Sequence, residues 1–137
     1  MKTAGYSGTP LAKKLGIKEN FTIKLINVPS YYFDLFTDFP KGVSVAKSVK
    51  SNIDFVHYFS KNKVSLAKDI PSLKRQLAPH GMIWVSWYKK SANIPTDVTE
   101  DIIRDLALKS GLVDVKVCAV DEVWSGLKLV IPLKDRE

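Results

Sequence analysis

The six residues Met82-Ile83-Trp84-Val85-Ser86-Trp87 constrain the fold more than any other stretch of the chain. All but Ser86 are apolar, and nothing alternates. A strand with one wet face alternates apolar and polar side chains, whereas a strand covered on both faces does not. The run therefore predicts a strand buried on both sides, as in a parallel sheet. Helices alternating with strands on either side of it give an α/β class.

The rest of the chain supplies such elements. Residues 1–8 hold two glycines and small polar residues and read as an arm. Thr9 stands as an N-cap with Pro10 at the first helical position, and Gly16 stops that short helix. Phe21 to Val28 is rich in β-formers and ends at Pro29, and Ser30 to Phe36 predicts a short helix. Val43–Val45 is a weak strand, and Ile53 to Phe59 a stronger one. The link from Val45 to Ile53 is shorter than the dozen or so residues of a parallel crossover. The weak strand is thus a short edge, an antiparallel strand or no strand. Asn62 to Ala78 predicts a helix that Pro71 breaks or kinks, with Leu73 and Leu77 on one face.

Asp97 and Glu100 stand in capping-box spacing. Val98, Ile102 and Leu106 then recur every four residues, with Ile103 and Ala107 beside them, so the spacing predicts an amphipathic helix ended by Gly111. Val113, Val115, Val117 and Ala119 alternate with polar residues, and Leu127, Leu129 and Ile131 alternate again. The chain closes on a hairpin. The sum is one three-layer α/β domain over residues 1–137, with a mostly parallel sheet and a C-terminal β-hairpin.

Composition excludes some chemistry. Cys118 is the single cysteine, so no internal disulfide forms. Ligand-spaced Cys/His pairs are absent, and no metal is expected. No apolar run reaches the ~18 residues of a membrane span, and Met1-Lys2-Thr3-Ala4-Gly5-Tyr6 lacks the apolar stretch expected of a signal peptide. A cytoplasmic chain without a membrane partner is the natural reading. Net charge is +7, with fifteen Lys/Arg against five Asp/Glu up to residue 90 and six against nine after it. Such asymmetry marks either a solvated lysine-rich surface or a polyanion partner.

The phrase Leu73-Lys74-Arg75-Gln76-Leu77-Ala78-Pro79-His80-Gly81-Met82-Ile83 is similar to the leucine-rich helix, turn and apolar strand of class I methyltransferases. From Asp54 onward the order of elements resembles the second half of that fold, which implies a truncated, Rossmann-like sheet. The family holds its nucleotide cofactor with a glycine-rich loop after the first strand. Here that loop reads Asn27-Val28-Pro29-Ser30-Tyr31. The family's ribose-binding acid after the second strand is replaced by Ala46-Lys47-Ser48. Methyl transfer and a bound cofactor are therefore not expected. Gly5-Tyr6-Ser7-Gly8-Thr9-Pro10-Leu11, Trp84-Val85-Ser86-Trp87 with Lys89-Lys90, Gly111 to Cys118, and Trp124-Ser125-Gly126-Leu127-Lys128 also resemble a family of small bacterial proteins of unknown function. That likeness implies no activity or catalytic residue.

Open α/β sheets bind ligands beyond the carboxyl ends of their strands. The methyltransferase-like topology would gather Lys89 and Lys90, Asp97 and Glu100, and Asp121, Trp124 and Ser125 at that edge. An ammonium near Asp121 could bind phosphate or carboxylate. Each residue also has a plainer role: Asp97 and Glu100 as caps, the lysines as solvated charges, Trp124 as a lid over the core. Trp84 and Trp87, an odd number of residues apart, face opposite sides. Cys118 has only His57 or His80 as a base, and a buried free cysteine is usually inert packing. Three functions stay open: a non-catalytic module for a small anion, nucleotide or protein; a small enzyme using Lys89 and Asp121; and a nucleic-acid binder. A homodimer through the sheet edge left by the hairpin is also open.

Overall fold

In the computed structural model, residues 9–48 and 51–136 are described, and the arm expected at residues 1–8 lies outside them. Strands β1 (Thr22–Ile26), β2 (Ser44–Val45), β3 (Ile53–Phe59), β4 (Leu77–Tyr88), β5 (Val113–Ala119) and β6 (Trp124–Val130) form one sheet in the order β2-β1-β3-β4-β6-β5. The first four strands run parallel, and β6 is antiparallel to both β4 and β5. From β1 the chain steps outward to β2, then returns past β1 to β3. The topological switch point thus lies between β1 and β3.

Met82 to Ser86 are all buried, as a stretch without polar alternation requires. Helices α2 (Lys63–Gln76) and α3 (Glu100–Lys109) cover one face. There Leu66, Ile70, Leu73, Ile103 and Ala107 join a core with Val56, Ile83, Val85, Leu127 and Leu129. Helix α1 (Leu11–Leu15) and a 3-10 turn at Tyr32–Leu35 cover the other face. Leu11, Leu15, Tyr32 and Leu35 pack there with Phe55, Phe59, Trp84 and Trp124. Trp84 and Trp87 do face opposite layers.

A buried polar chain crosses this second layer. The Tyr32 hydroxyl lies 2.9 Å from His57 Nδ1, and His57 Nε2 lies 2.8 Å from Ser86 Oγ. All three side chains are buried, and His57 stacks on Phe59. Burial pushes the His57 pKa down to about 3, so the ring is neutral. Access by substrate is closed, so this is a core network and not a catalytic triad.

Several local expectations give way to tertiary contacts. Pro71 neither breaks nor ends α2. An interior proline costs about 3 kcal/mol, but Leu66, Ile70 and Leu73 bury one continuous face on either side of it. The helix instead ends at Gln76, and Leu77 already belongs to β4. Thr9 is not the N-cap of α1. Pro10 occupies that position, and Asp38 accepts hydrogen bonds from the amides of Ala12 and Lys13, each 3.2 Å. The weak strand is a two-residue edge, parallel to β1. Because β2 pairs with β1 and not β3, the short Val45–Ile53 link never has to join adjacent parallel strands.

The inward stripe of α3 centres on Ile103 and Ala107, one residue off the expected Ile102 and Leu106. In β5 the register shifts between Asp114 and Lys116, which face Leu129 and Lys128. Val113 then faces Val130 while Val117 faces Leu127, so the two valines lie on opposite sides of the sheet. Val115 and Val117 are exposed on this free edge.

Gly81 is demanded by close backbone approach. A Cβ there would lie 2.7 Å from the Ile53 carbonyl oxygen and 3.0 Å from that of Ala78. Neither oxygen can move without shifting the ladder. Gly81→Ala is expected to cost about 2 kcal/mol of overpacking strain, read from the urea midpoint. An unchanged midpoint would show that the β3–β4 ladder yields there.

Candidate functional site

The carboxyl end of β4 carries Trp87 and Tyr88 straight into Lys89, and the chain then turns through a 3-10 segment at Lys90–Ala92. The Lys89 amide donates to the Val123 carbonyl at 2.8 Å, which pins this exit to the β5–β6 turn. Asn93 closes the segment in the left-handed region, with φ 55°. The loop returns through Pro95 to Thr99, whose hydroxyl accepts from the Ile102 amide at 3.2 Å and so caps α3. A cleft of about 670 Å³ opens between this loop, the end of β4 and the start of α3. Trp87 forms an aromatic wall, Lys89 and Lys90 a cationic rim, and Thr96, Thr99 and Glu100 a polar side, while the Tyr88 ring stacks on Trp124 at the opposite face of β4.

The charges of the cleft are unevenly engaged. Glu100 pairs with Arg104, which also bonds Asp101 at 2.9 Å and Asp114 at 3.0 Å. Lys89 and Lys90 form no ion pair among the described residues. The cleft therefore offers two cations without ion-pair partners beside the Trp87 ring. That combination suits a flat, negatively charged molecule.

Of the residues expected at this edge, Lys89, Lys90 and Glu100 line the cleft, and the others are placed elsewhere. Asp97 is not the cap of α3. Its carboxylate accepts from the Lys63 amide at 2.8 Å and so serves the N-terminus of α2, where Asn62 also accepts from Ser65. Asp121 is buried, and its Oδ1 accepts from the amides of Val123 and Trp124, each 2.8 Å. It holds the β5–β6 turn and does not face Lys89 across the cleft. Trp124 is buried in the second layer, edge-on to Phe59 and stacked on Tyr88 at 4.2 Å. It is a lid over the core. Ser125 lies in β6, paired with Trp87 and Ala119. Tyr31 reaches the same turn. Burial, then the Asp121 carboxylate, raises its pKa above the usual phenol value. Tyr88 and Ile94 are lining residues that sequence reasoning missed. For Tyr88 the signal was present, since it continues the apolar run of β4.

Cys118 does not meet a histidine. Burial raises its pKa, against the opposing pull of Lys14 and Lys116. It is not an activated thiol. Among the described residues, no three His, Cys, Asp or Glu side chains gather to hold a metal, and no helix is long and apolar enough to cross a membrane.

No family model and no curated protein sequence matches this chain. Solved structures do. A SAM-dependent methyltransferase from Aquifex aeolicus superposes with a TM-score of 0.63 at 16% identity, over 88% of this chain and 87% of that one. A TehB-like SAM-dependent methyltransferase from Corynebacterium glutamicum gives 0.55 at 11% identity, over 94% and 91%. An O-methyltransferase from neocarzinostatin biosynthesis, solved with S-adenosylmethionine, gives 0.62 at 8% identity, over 82% of this chain and 49% of that one.

The residues at the switch point do not fit that cofactor in the manner of a glycine-rich loop. After β1, Asn27 turns left-handed with φ 58°, and its side-chain amide donates to the Phe59 carbonyl at 3.4 Å. Pro29 has no amide hydrogen to offer. The Tyr32 amide is already bonded to the Pro29 carbonyl at 3.0 Å. After β2 the chain presents Lys47 where an acid would hold a ribose. At these identities the likeness is one of fold: the chain is built on the Rossmann-like α/β sheet of the SAM-dependent methyltransferases.

Proposed function

We propose that this chain is a non-catalytic binding module on a methyltransferase-like fold, taking a small aromatic anion in the cleft between β4 and α3. The observation that carries this reading is the pairing of Lys89 and Lys90, neither of them in an ion pair among the described residues, with the Trp87 ring. The cleft also lies beyond the carboxyl end of a central parallel strand, where α/β sheets bind ligands. The enzyme reading needs Lys89 and Asp121 to face one substrate. It loses support because Asp121 is buried and bonded to its own turn.

A thermal-shift screen of nucleoside monophosphates, aromatic carboxylates and S-adenosylmethionine tests the proposal. At a hundredfold excess over Kd, a ligand stabilises by about 2.7 kcal/mol, which for a domain of this size raises Tm by roughly 10 °C. An aromatic anion is expected to give such a shift, and S-adenosylmethionine is not. Lys89→Ala is expected to weaken the bound anion about tenfold by removing one charge-assisted contact. A shift by S-adenosylmethionine that Lys89→Ala leaves intact would move the site to the switch point and overturn the reading.

A further inference from the structure

A second cationic feature lies outside the cleft. Lys116 of β5 stands directly opposite Lys128 of β6 in the antiparallel ladder. Like charges in that position destabilise a sheet, and side chains that hydrogen-bond or carry opposite charge would stabilise it. The pair is not relieved by acids. Lys116 Nζ reaches only a neutral acceptor, the Lys14 carbonyl at 3.4 Å. Lys18 and Arg136 bear on Lys128 from two further segments, and both add positive charge. The Arg136 guanidinium is held by the Ile131 carbonyl at 2.8 Å. None of Lys14, Lys18, Lys116, Lys128 or Arg136 forms an ion pair among the described residues. Glu19 and Asp135, their sequence neighbours, form none either.

We infer that this patch, built by the end of α1, the β5–β6 ribbon and the C-terminal turn, is a docking surface for the phosphate backbone of a nucleic acid. A single small anion would engage two or three of these cations. Five cations spread over separate segments match an extended polyanion, in which each strand of a duplex carries a charge for about every 3.4 Å of helix axis. The chain's +7 charge favours the same partner. Lys14 and Lys18 come from the basic part of the sequence, and the other three come from the part whose net charge is negative. The patch therefore exists only in the folded chain. It is independent of the cleft and of whatever binds there.

The test uses the full chain and fluorescence anisotropy with labelled 20-mer RNA and DNA, single-stranded and duplex, between 50 and 300 mM salt. The variant is Lys116→Gln with Lys128→Gln, which removes the repulsive pair and is expected to leave Tm unchanged or higher. A control of equal charge, Lys41→Gln with Lys68→Gln, changes two exposed lysines elsewhere. The wild type is expected to bind with affinity that falls steeply as salt rises. The patch variant is expected to lose at least tenfold at 100 mM salt and to lower the salt slope by about two. The control is expected to stay within twofold. Equal losses in variant and control, or no binding by the wild type, overturn the inference. So does binding of polyglutamate with no binding of either nucleic acid, which would assign the patch to an acidic protein.

Discussion

Replacing Trp84 with alanine is expected to lower the unfolding free energy by about 4 kcal/mol. Trp84 is the largest fully buried side chain, in the middle of β4. Its ring lies against Gly126 on β6, where a Cβ would come within 3.0 Å of it. The neighbouring strand has thus shed a side chain to admit the ring, so Gly126 itself has none to refill the space. The indole N–H also donates to the Leu15 carbonyl at 2.7 Å, a bond between residues 69 apart in sequence. Helix α1 has five residues, too few to persist without tertiary support. Trp84→Ala should therefore release α1 before it loosens the sheet. Urea denaturation measures the global loss, and hydrogen exchange at Gly16 and Ile17, whose amides bond to Ala12, reports the helix. Trp84→Phe keeps most of the packing but strands the carbonyl, at a cost of about 2 kcal/mol. A loss below about 1 kcal/mol for Trp84→Ala would mean that the layer collapses to fill the gap.

Acid is expected to weaken the fold through His57. An unfolded imidazole takes up its proton near pH 6.5, whereas the buried ring in the folded chain does so only near pH 3. Between those values the unfolded chain binds the extra proton, so stability falls as pH drops through the window. From pH 7 to pH 4 the loss is about 3 kcal/mol from this one group. The bonds to Tyr32 and Ser86 are satisfied by a neutral ring, and no carboxylate lies among its bonded partners to support a charged one. His57→Gln keeps a donor and an acceptor in the layer but does not titrate. It should be less stable at pH 7 and show a flatter decline toward pH 4. Denaturation series at several pH values for both proteins check this. Parallel profiles would show that His57 charges in the folded state.

How much was legible beforehand depended on whether the signal was local. Lys89, Lys90 and Glu100 reach one cleft because a single loop carries them from the end of β4 to the start of α3. Trp124 and Asp121 sit at the same end of the sheet, as topology requires, but turn inward. Trp124 finds Phe59 and Tyr88 there, and Asp121 finds the two amides of its own turn. Nothing in their sequence neighbourhood distinguishes that from a site facing solvent. The basic patch is likewise invisible along the chain, since its members lie up to 122 positions apart.

The sequence by itself determined the α/β class, the doubly buried strand at Met82–Ser86, the helices flanking it and the closing hairpin. These follow from periodicity and turn chemistry, which act over a few residues. Only the tertiary structure decided that Pro71 stays inside a continuous helix, that Asp97 caps a helix beginning 34 residues earlier, and that the register shift at Val115 sends Val113 and Val117 to opposite faces. It also decided which of the described lysines form no ion pair. Each of these turns on which segments meet and in what register. That is set by burying both faces of the sheet at once, and no short window of sequence contains it.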